Sequence, residues 1–404
     1  MSTSFIYHCL RLVGYHYRKT EYKDSKMIIT VQKNPYKLCC PDCESTNFVR
    51  RGKITRTFKT LPIGKKPILI QVDIQRIQCL ACGCVKQEKL NFADPKKTYT
   101  RAFERYVLSL VKLMTIQDVA IHLGISWNTV KEIQKKFLQK HVSKPNLKQV
   151  SVIAIDEISI GKGHNYLTIV LDLETGAVIF IGDGKKADSL KPFWKKLKRA
   201  EAKIDAVAMD MSPAYIDAVT TNLPNTTIVF DHFHIIKYFN DKLSELRRKI
   251  YAETDNVFHQ QILKGTRWLL LKNPENLRET KKEKQHLQLA LQINKPLATA
   301  YYLKEDLRLL WAKKNKDEAE NHLQNWIIKA LASGVTMLKK FAKTLAAHRS
   351  GILAFYDFKI STAPLEGTNN KIKTMKRQAY GYRDKQFFKL KIFALHKTKY
   401  ALIG

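Results

Sequence analysis

Residues 150–160 form an almost unbroken apolar run with two carboxylates, Asp156 and Glu157, set inside it. A short apolar run rich in β-branched residues reads as a strand buried on both faces. A carboxylate inside such a strand is costly unless it is paired or bound to a metal. Residues 166–173 read as a second strand. Residues 177–182 read as a third, after the turn Glu174-Thr175-Gly176, so the three should form an antiparallel meander. A helix follows over 187–202, with Leu190, Phe193, Trp194 and Leu197 on its apolar face. A strand over 206–211, a helix over 213–221 and a strand over 226–230 complete the pattern. This β-β-β-α-β-α-β order is that of the ribonuclease H-like fold, whose first and fourth strands lie side by side at the centre of the sheet. Asp156 sits in the first and Asp210 near the end of the fourth, so their carboxylates can share metal ions. Asp172, Glu174 and Asp183 lie by turns and read as solvated.

A third carboxylate is needed, and separation along the chain does not locate it. Ser361-Thr362-Ala363-Pro364-Leu365-Glu366 begins like a capped helix, with Ser361 or Thr362 as cap and Pro364 in the first turn. Glu366 then lies early in the helix, with Asn369 and Asn370 on its face. Lys371, Lys373, Lys376 and Arg377 follow, placed to meet DNA phosphates. The plain alternative for Glu366 is an acid favoured near a helix N-terminus.

The N-terminal third carries two C-x-x-C knuckles, Cys40/Cys43 and Cys79/Cys82. A two-residue gap turns both thiolates toward one ion, and two such pairs complete a tetrahedral Zn²⁺ site. The strands expected between them, over 48–51, 57–61 and 68–78, give a zinc ribbon in which the metal substitutes for a small core. Cys39 and Cys84 could replace a ligand at less favourable spacing, and Cys9 reads as a buried thiol. Beyond a polar link over 94–100, residues 115–133 fit a helix-turn-helix. Ala120 permits close approach, Gly124 supplies a left-handed turn, and Val130 and Ile133 face the core. Ser126 is a natural N-cap, so Trp127, Asn128, Thr129 and Lys131 fall on the first turns of the helix that would enter a major groove.

Charge points the same way. The chain has 71 Lys+Arg against 36 Asp+Glu, a formal +35, which repels itself unless a polyanion neutralises it. Nucleic acid gains affinity from such contacts by counterion release. A membrane partner is not expected, since no apolar run approaches the roughly 18 residues needed to span one and no long basic amphipathic anchor stands out. The apolar patch over 5–13 is broken by His8 and Arg11 and has no cleavage site, so no secretory signal is read there. Seven cysteines, six of them in two tight clusters, suit metal binding in a reducing cytoplasm better than disulfides.

The string from Glu366 to Arg383, EGTNNKIKTMKRQAYGYR, resembles the C-terminal signature of bacterial insertion-sequence transposases of the ISL-three family. So do Arg267 to Leu277 (RWLLLKNPENL) and Asp231-His232-Phe233-His234-Ile235. Together with the ribbon and the helix-turn-helix, these motifs cover nearly the whole chain. Thr362 departs from the Asn expected before the Glu366 segment. The resemblance implies a DDE transposase that binds double-stranded DNA at the terminal repeats of its element, then cuts and joins strands. Asp156, Asp210 and Glu366 would hold catalytic Mg²⁺ or Mn²⁺, with Zn²⁺ structural only. It implies a multidomain chain: a zinc-ribbon region over 1–93, a helix-turn-helix domain over 94–146, a ribonuclease H-like catalytic domain over 147–235 and 351–404, and a helical insertion domain over 236–350 that contacts DNA. Asp231 and His234 occupy a C/D-x-x-H element beside the site, with Asn370 as a further auxiliary group. Trp268 reads either as a DNA-stacking or as a core tryptophan. Pairing two ends makes a homodimer the minimum assembly, working in the bacterial cytoplasm on the nucleoid. The rivals are a ribonuclease H-like nuclease and a transposase-derived DNA-binding regulator.

Overall fold

A computed structural model describes residues 4–142, 145–161, 163 and 165–396. The chain folds as two compact units: Met1–Ser143 with Met375–Gly404, and Lys144–Thr374.

The first unit opens with a short helix α1 (Phe5–His8) and five strands: β1 (Tyr15–Lys23), β2 (Lys26–Lys33), β3 (Phe48–Ile63), β4 (Lys66–Cys79) and β5 (Val85–Gln87). They form one sheet in the order β1-β2-β4-β3, with β5 also paired to β4. The pairing of β2 with β4 is parallel and the other neighbours are antiparallel. In β4 the apolar residues alternate, so Ile68, Ile70, Val72 and Ile74 face a core shared with Phe58 and Phe92. The β1–β2 hairpin is absent from the sequence reading. Its turn is Asp24-Ser25, both left-handed at φ 50° and 60°, the geometry that suits strand twist without the glycine that advertises it. The strands read separately over 48–51 and 57–61 are one long β3. Its register shifts between Arg50 and Lys53, where Gly52 at φ +95° takes up an extra residue as a bulge. Cys9 is exposed rather than buried, because Ile6 and Leu10 take the buried face of this segment.

Three helices follow: α2 (Arg101–Leu110), α3 (Ile116–Leu123) and α4 (Trp127–His141). Thr115 and Asp118 make a reciprocal capping box at the start of α3. Gly124 ends α3 at φ 57°, ψ 51°. Ser126 caps α4 by accepting from the Thr129 amide. Val119, Ala120, Leu123, Val130 and Ile133 close the small core between these helices.

The second unit holds a five-stranded mixed sheet: β6 (Val152–Gly161), β7 (Asn165–Asp172), β8 (Val178–Asp183), β9 (Ala206–Met209) and β10 (Thr227–Phe230). The order is β10-β9-β6-β7-β8. The β6-β7-β8 meander is antiparallel, whereas β9 runs parallel to β6 and β10 parallel to β9. The first strand of this sheet therefore lies beside the fourth. Helices α5 (Lys191–Ala200) and α6 (Pro213–Asn222) connect β8 to β9 and β9 to β10. Strand β9 stops at Met209 rather than 211, because the Asp210 carboxylate turns back to accept from the Ser212 amide at 3.0 Å, ahead of Pro213 at the start of α6.

Residues 232–358 are helical: α7 (His232–Glu253), α8 (Val257–Gly265), α9 (Glu283–Ile293), α10 (Lys295–Arg308), α11 (Lys316–Ala332), α12 (Thr336–Ala347), α13 (Arg349–Leu353) and α14 (Phe355–Phe358). They do not form a core of their own. A single apolar cluster runs from Ile155, Val207 and Phe230 of the sheet through Phe239 of α7 to Trp326 and Phe341. Helix α15 (Ala363–Gln378) and helix α16 (Lys385–Phe393) complete the chain. Residues 375–404 fall in the first unit, where Phe387, Leu390 and Ala394 pack on Leu138 and Val142. No helix among the described residues is long and apolar enough to cross a membrane.

Candidate active site and metal centre

Strands β6 and β9 pair in register at Val152↔Ala206, Ile153↔Val207 and Ala154↔Ala208. Side chains on a strand alternate faces, and Asp156 and Asp210 each lie two residues beyond the last of these pairs. Asp156 therefore lies within β6, and Asp210 lies just past the end of the adjacent parallel strand β9, at a matching level. Burial pushes the Asp156 carboxyl from its ordinary 3.8 up to about 6, and the charge of Asp210 adds to that rise. Burial also raises the neighbouring Glu157, again helped by Asp210. Tyr215 of α6 donates toward Glu157, and its hydroxyl lies 3.0 Å from that of Thr168.

Helix α15 meets Asp156 through a residue the sequence reading left without a role. The Asn369 side-chain amide donates to Asp156 Oδ2 at 2.8 Å, and Asn369 is buried whereas Asn370 is exposed. Glu366 lies one turn before Asn369 and is half-buried. The Thr362 carbonyl accepts from the Leu365 and Glu366 amides at the start of α15. Its hydroxyl is buried and donates to Asp231 Oδ2 at 2.7 Å, while His234 Nδ1 lies 3.0 Å from the same oxygen. Burial opposes ionisation of Asp231, yet the bonds from His234 and Thr362 hold it below the usual carboxylate range. His234 is raised by its bond to Asp231 and by the charges of Asp156 and Asp210. Asp231 and His234 thus stand beside the acidic pair rather than apart from it.

Two buried oxygens here have no hydrogen-bond partner among the described residues, Asp231 Oδ1 and Asn369 Oδ1. Carboxylates that repel one another and orphaned oxygens nearby make a donor set suited to a hard divalent cation such as Mg²⁺. The carboxylates are not drawn into a tight cage. Among the described residues, the one set of three or more His, Cys, Asp or Glu donors lying within 4.8 Å of one another is Cys40, Cys43, Cys79 and Cys82.

That cysteine set joins the loop before β3 to the end of β4. Cys40 Sγ lies 3.6 Å from Cys82 Sγ, and Cys43 Sγ lies 3.5 Å from Cys79 Sγ. Four converging sulfurs from two knuckles are the donor set of structural Zn²⁺. The backbone amide of Cys43 leads in drawing the Cys40 thiol down to about 6, toward the thiolate that ligates zinc. Cys84 also reaches Cys40, at 3.3 Å, and so borders the cluster. Cys39 is half-buried outside it.

On α4, Trp127 and Asn128 are exposed and Thr129 is half-buried. The Thr129 hydroxyl lies 3.0 Å from that of Ser126. Lys131 is less available than expected: its ammonium lies 3.2 Å from Glu132 and 3.6 Å from Asp384. Asp384 also holds Lys135 at 2.8 Å and caps α16 by accepting from the Phe387 amide. On α15, Lys371, Lys373 and Arg377 are exposed and Lys376 is half-buried. Trp268 is no core residue. It is 64% exposed, with the Arg267 guanidinium 4.6 Å from its ring centre.

Comparison with known proteins agrees with this layout. A transposase profile matches residues 153–392, the helix-turn-helix domain of transposase family ISL3 matches 88–138, and the zinc-finger of transposases IS204/IS1001/IS1096/IS1165 matches 38–82. The transposase for insertion sequence element IS1001 of Bordetella parapertussis is 32% identical over 88% of this chain and 88% of its own length. The transposase for insertion sequence element IS1557 of Mycobacterium tuberculosis is 27% identical over 86% of this chain and 83% of its own. A Drosophila P element transposase strand transfer complex superposes over 74% of this chain at TM-score 0.37 and 11% identity, too loosely to carry an argument. The chain is a transposase, and it belongs to the ISL-three (ISL3) family of insertion-sequence transposases.

Proposed function

We propose that this transposase binds the terminal inverted repeats of its insertion sequence and performs strand cleavage and strand transfer at Asp156, Asp210 and Glu366. The observation that carries the reading is the parallel register of β6 and β9, which pairs Ala154 with Ala208 two residues before Asp156 and Asp210. The sheet order β10-β9-β6-β7-β8 with its antiparallel meander supports a ribonuclease H-like catalytic domain. It is built from residues 147–235 and the segment carrying Glu366, with residues 236–350 as a helical insertion. The three carboxylates would hold two Mg²⁺ or Mn²⁺ ions. Bound there, the ions would activate the attacking oxygen, of water and then of a DNA 3′-hydroxyl, and stabilise the leaving oxygen. Asn369 fixes the Asp156 carboxylate, while Thr362 and His234 fix Asp231 at the rim. No side chain need form a covalent bond to DNA.

The helix-turn-helix would read the ends through Asn128 and Trp127, the lysines of α15 would neutralise phosphates, and zinc on Cys40, Cys43, Cys79 and Cys82 would hold the ribbon together. Double-stranded DNA in the cytoplasm, on the nucleoid, is the partner. A homodimer is the smallest assembly that pairs two ends. Asp210→Asn removes one carboxylate and no DNA-reading group, so it should abolish nicking and joining of end-bearing DNA in Mg²⁺ yet leave end binding unchanged. A variant that still cuts would end the two-metal reading. A wild-type protein that binds ends but never joins them would favour a transposase-derived regulator.

A further inference from the structure

Helix α15 ends at a conformation that does not suit its residue. Tyr380 has φ 49° and the following Gly381 φ 100°, with the Gly381 amide closing on the Lys376 carbonyl at 2.9 Å. The first left-handed position after a helix normally belongs to Gly or Asn, because a Cβ there clashes with the backbone. Here it holds a tyrosine, and that tyrosine is 101% exposed, so burial offsets nothing. A large apolar ring held in a strained, uncovered position is an outlier that points to function.

Its surroundings say what kind. Tyr380 lines a cavity of about 950 Å³ whose wall also includes Trp127, Lys131, Lys376, Arg383 and Asp384. Trp127 stands at the first turn of α4, 51% exposed, with the Lys131 ammonium 5.8 Å from its ring centre. Lys131, Lys376 and Arg383 line the cavity together with one carboxylate, Asp384, so its lining carries a net positive charge. Cations that neutralise phosphate combined with exposed aromatic rings make the chemistry that captures unstacked bases. A paired duplex offers only base edges in its grooves, since its base faces are covered by their neighbours. Rings therefore gain stacking only from a base that has left the helix.

We infer that the cavity between the first turn of α4 and the loop after α15 binds an unpaired nucleotide of the DNA, stacked on Trp127 and Tyr380 with its phosphate on Lys376 and Arg383. This deepens the proposed end binding and rests on it.

The test uses the full chain and two probes of one sequence, each carrying 2-aminopurine, whose fluorescence falls when it stacks on an aromatic ring. One probe is fully paired; in the other the 2-aminopurine lies opposite an abasic position. The wild type should prefer the second and quench it. Trp127→Ala and Tyr380→Ala should each lose roughly 5- to 150-fold of that preference, the range expected for one base–aromatic stack. Tyr380→Phe should keep it. Since Tyr380 is wholly exposed, its replacement leaves the fold intact, and equal duplex binding by wild type and variant would show this. Equal binding of both probes by the wild type, or alanine variants that still prefer and quench the unpaired base, would overturn the inference while leaving duplex binding standing. Binding of neither probe would remove the DNA-binding reading beneath it as well.

Discussion

At Asp156 the chain holds a carboxylate where apolar burial and a second carboxylate both oppose its charge. The linkage has a definite sign. Asp156 rises from 3.8 to about 6, so between those values the folded metal-free protein keeps a proton that the unfolded chain has lost. Stability therefore falls as pH rises through that window, by on the order of 3 kcal/mol. His234 lies above its ordinary 6.5 through Asp231. Its contribution is complete below 6.5 and is lost as pH climbs past the raised value, so it extends the fall in the same direction. Asp231 lies below 3.8, and its stabilisation disappears only at more acid pH. Thermal melts of zinc-loaded protein without added Mg²⁺ or Mn²⁺ should decline from pH 4 to pH 7, and Asp156→Asn should flatten the first part of that decline. A profile that rises across this range would mean that the surroundings of Asp156 do not hold its proton as described. Asn369→Ala removes the amide that fixes Asp156 and should slow strand cleavage about 10- to 100-fold, with end binding unchanged, in the manner of groups that orient a metal ligand. Asn370→Ala should do neither. The sequence could place both asparagines near Glu366, and the resemblance pointed to Asn370, but it is Asn369 that meets Asp156. Which one meets β6 depends on the rotation of α15 against the sheet, and that is set by the burial of Leu365, Thr368 and Ile372.

Among the elements, the legible ones were those with a strong local signal. The meander and the alternating helices and strands after it follow from period and turn chemistry. The helix-turn-helix follows from Thr115, Gly124 and Ser126, whose side chains or backbone freedom set its corners. The β1–β2 hairpin was hidden because Asp24-Ser25 gives no glycine cue. The role of Lys304 in α10 was hidden because one buried lysine looks like any other of the 71 Lys+Arg. Lys304 is 1% exposed. Its ammonium donates to the carbonyls of Leu270 and Lys272 at 2.8 and 3.3 Å and pairs with Glu305 at 2.6 Å, tying the segment after Trp268 to α10. Lys304→Ala should cost roughly 2–4 kcal/mol, measured by urea unfolding, because two carbonyls and a carboxylate lose their buried partner. A change below about 0.5 kcal/mol, the usual size for a surface site, would show that the tie is dispensable. The zinc ribbon gives a sharper outcome. Cys40→Ser or Cys79→Ser should remove stoichiometric zinc and melt the ribbon, since the metal's binding energy is folding energy there, while the sheet of the second unit keeps its cooperative transition. Purified wild type without zinc would refute the assignment.

Over the whole molecule the dominant quantity is a formal charge of +35, which the fold neutralises only in part. Some of its acids pair with nearby bases, as Asp384 does with Lys131 and Lys135 and Glu283 does with Lys272, and the bases outnumber the acids 71 to 36. DNA binding should therefore be driven by counterion release, with log Kd depending linearly on log salt. If the protein neutralises about 6–10 phosphates, affinity should drop by about 10³–10⁵ between roughly 50 and 200 mM salt. Lys371 and Lys373 are exposed along α15 and make no base-specific contact in this reading. Replacing both with Ala should lower the salt slope by about 2 and weaken end-bearing and unrelated duplexes alike. Asn128→Ala should behave oppositely: the slope stays, and only the preference for ends falls, by roughly 1–3 kcal/mol for a bidentate base contact. Filter binding of all three proteins across a salt series separates the two kinds of residue in one experiment. An unchanged slope in the double lysine variant would move the phosphate contacts off α15, and an unchanged preference in Asn128→Ala would move sequence reading off the first turns of α4.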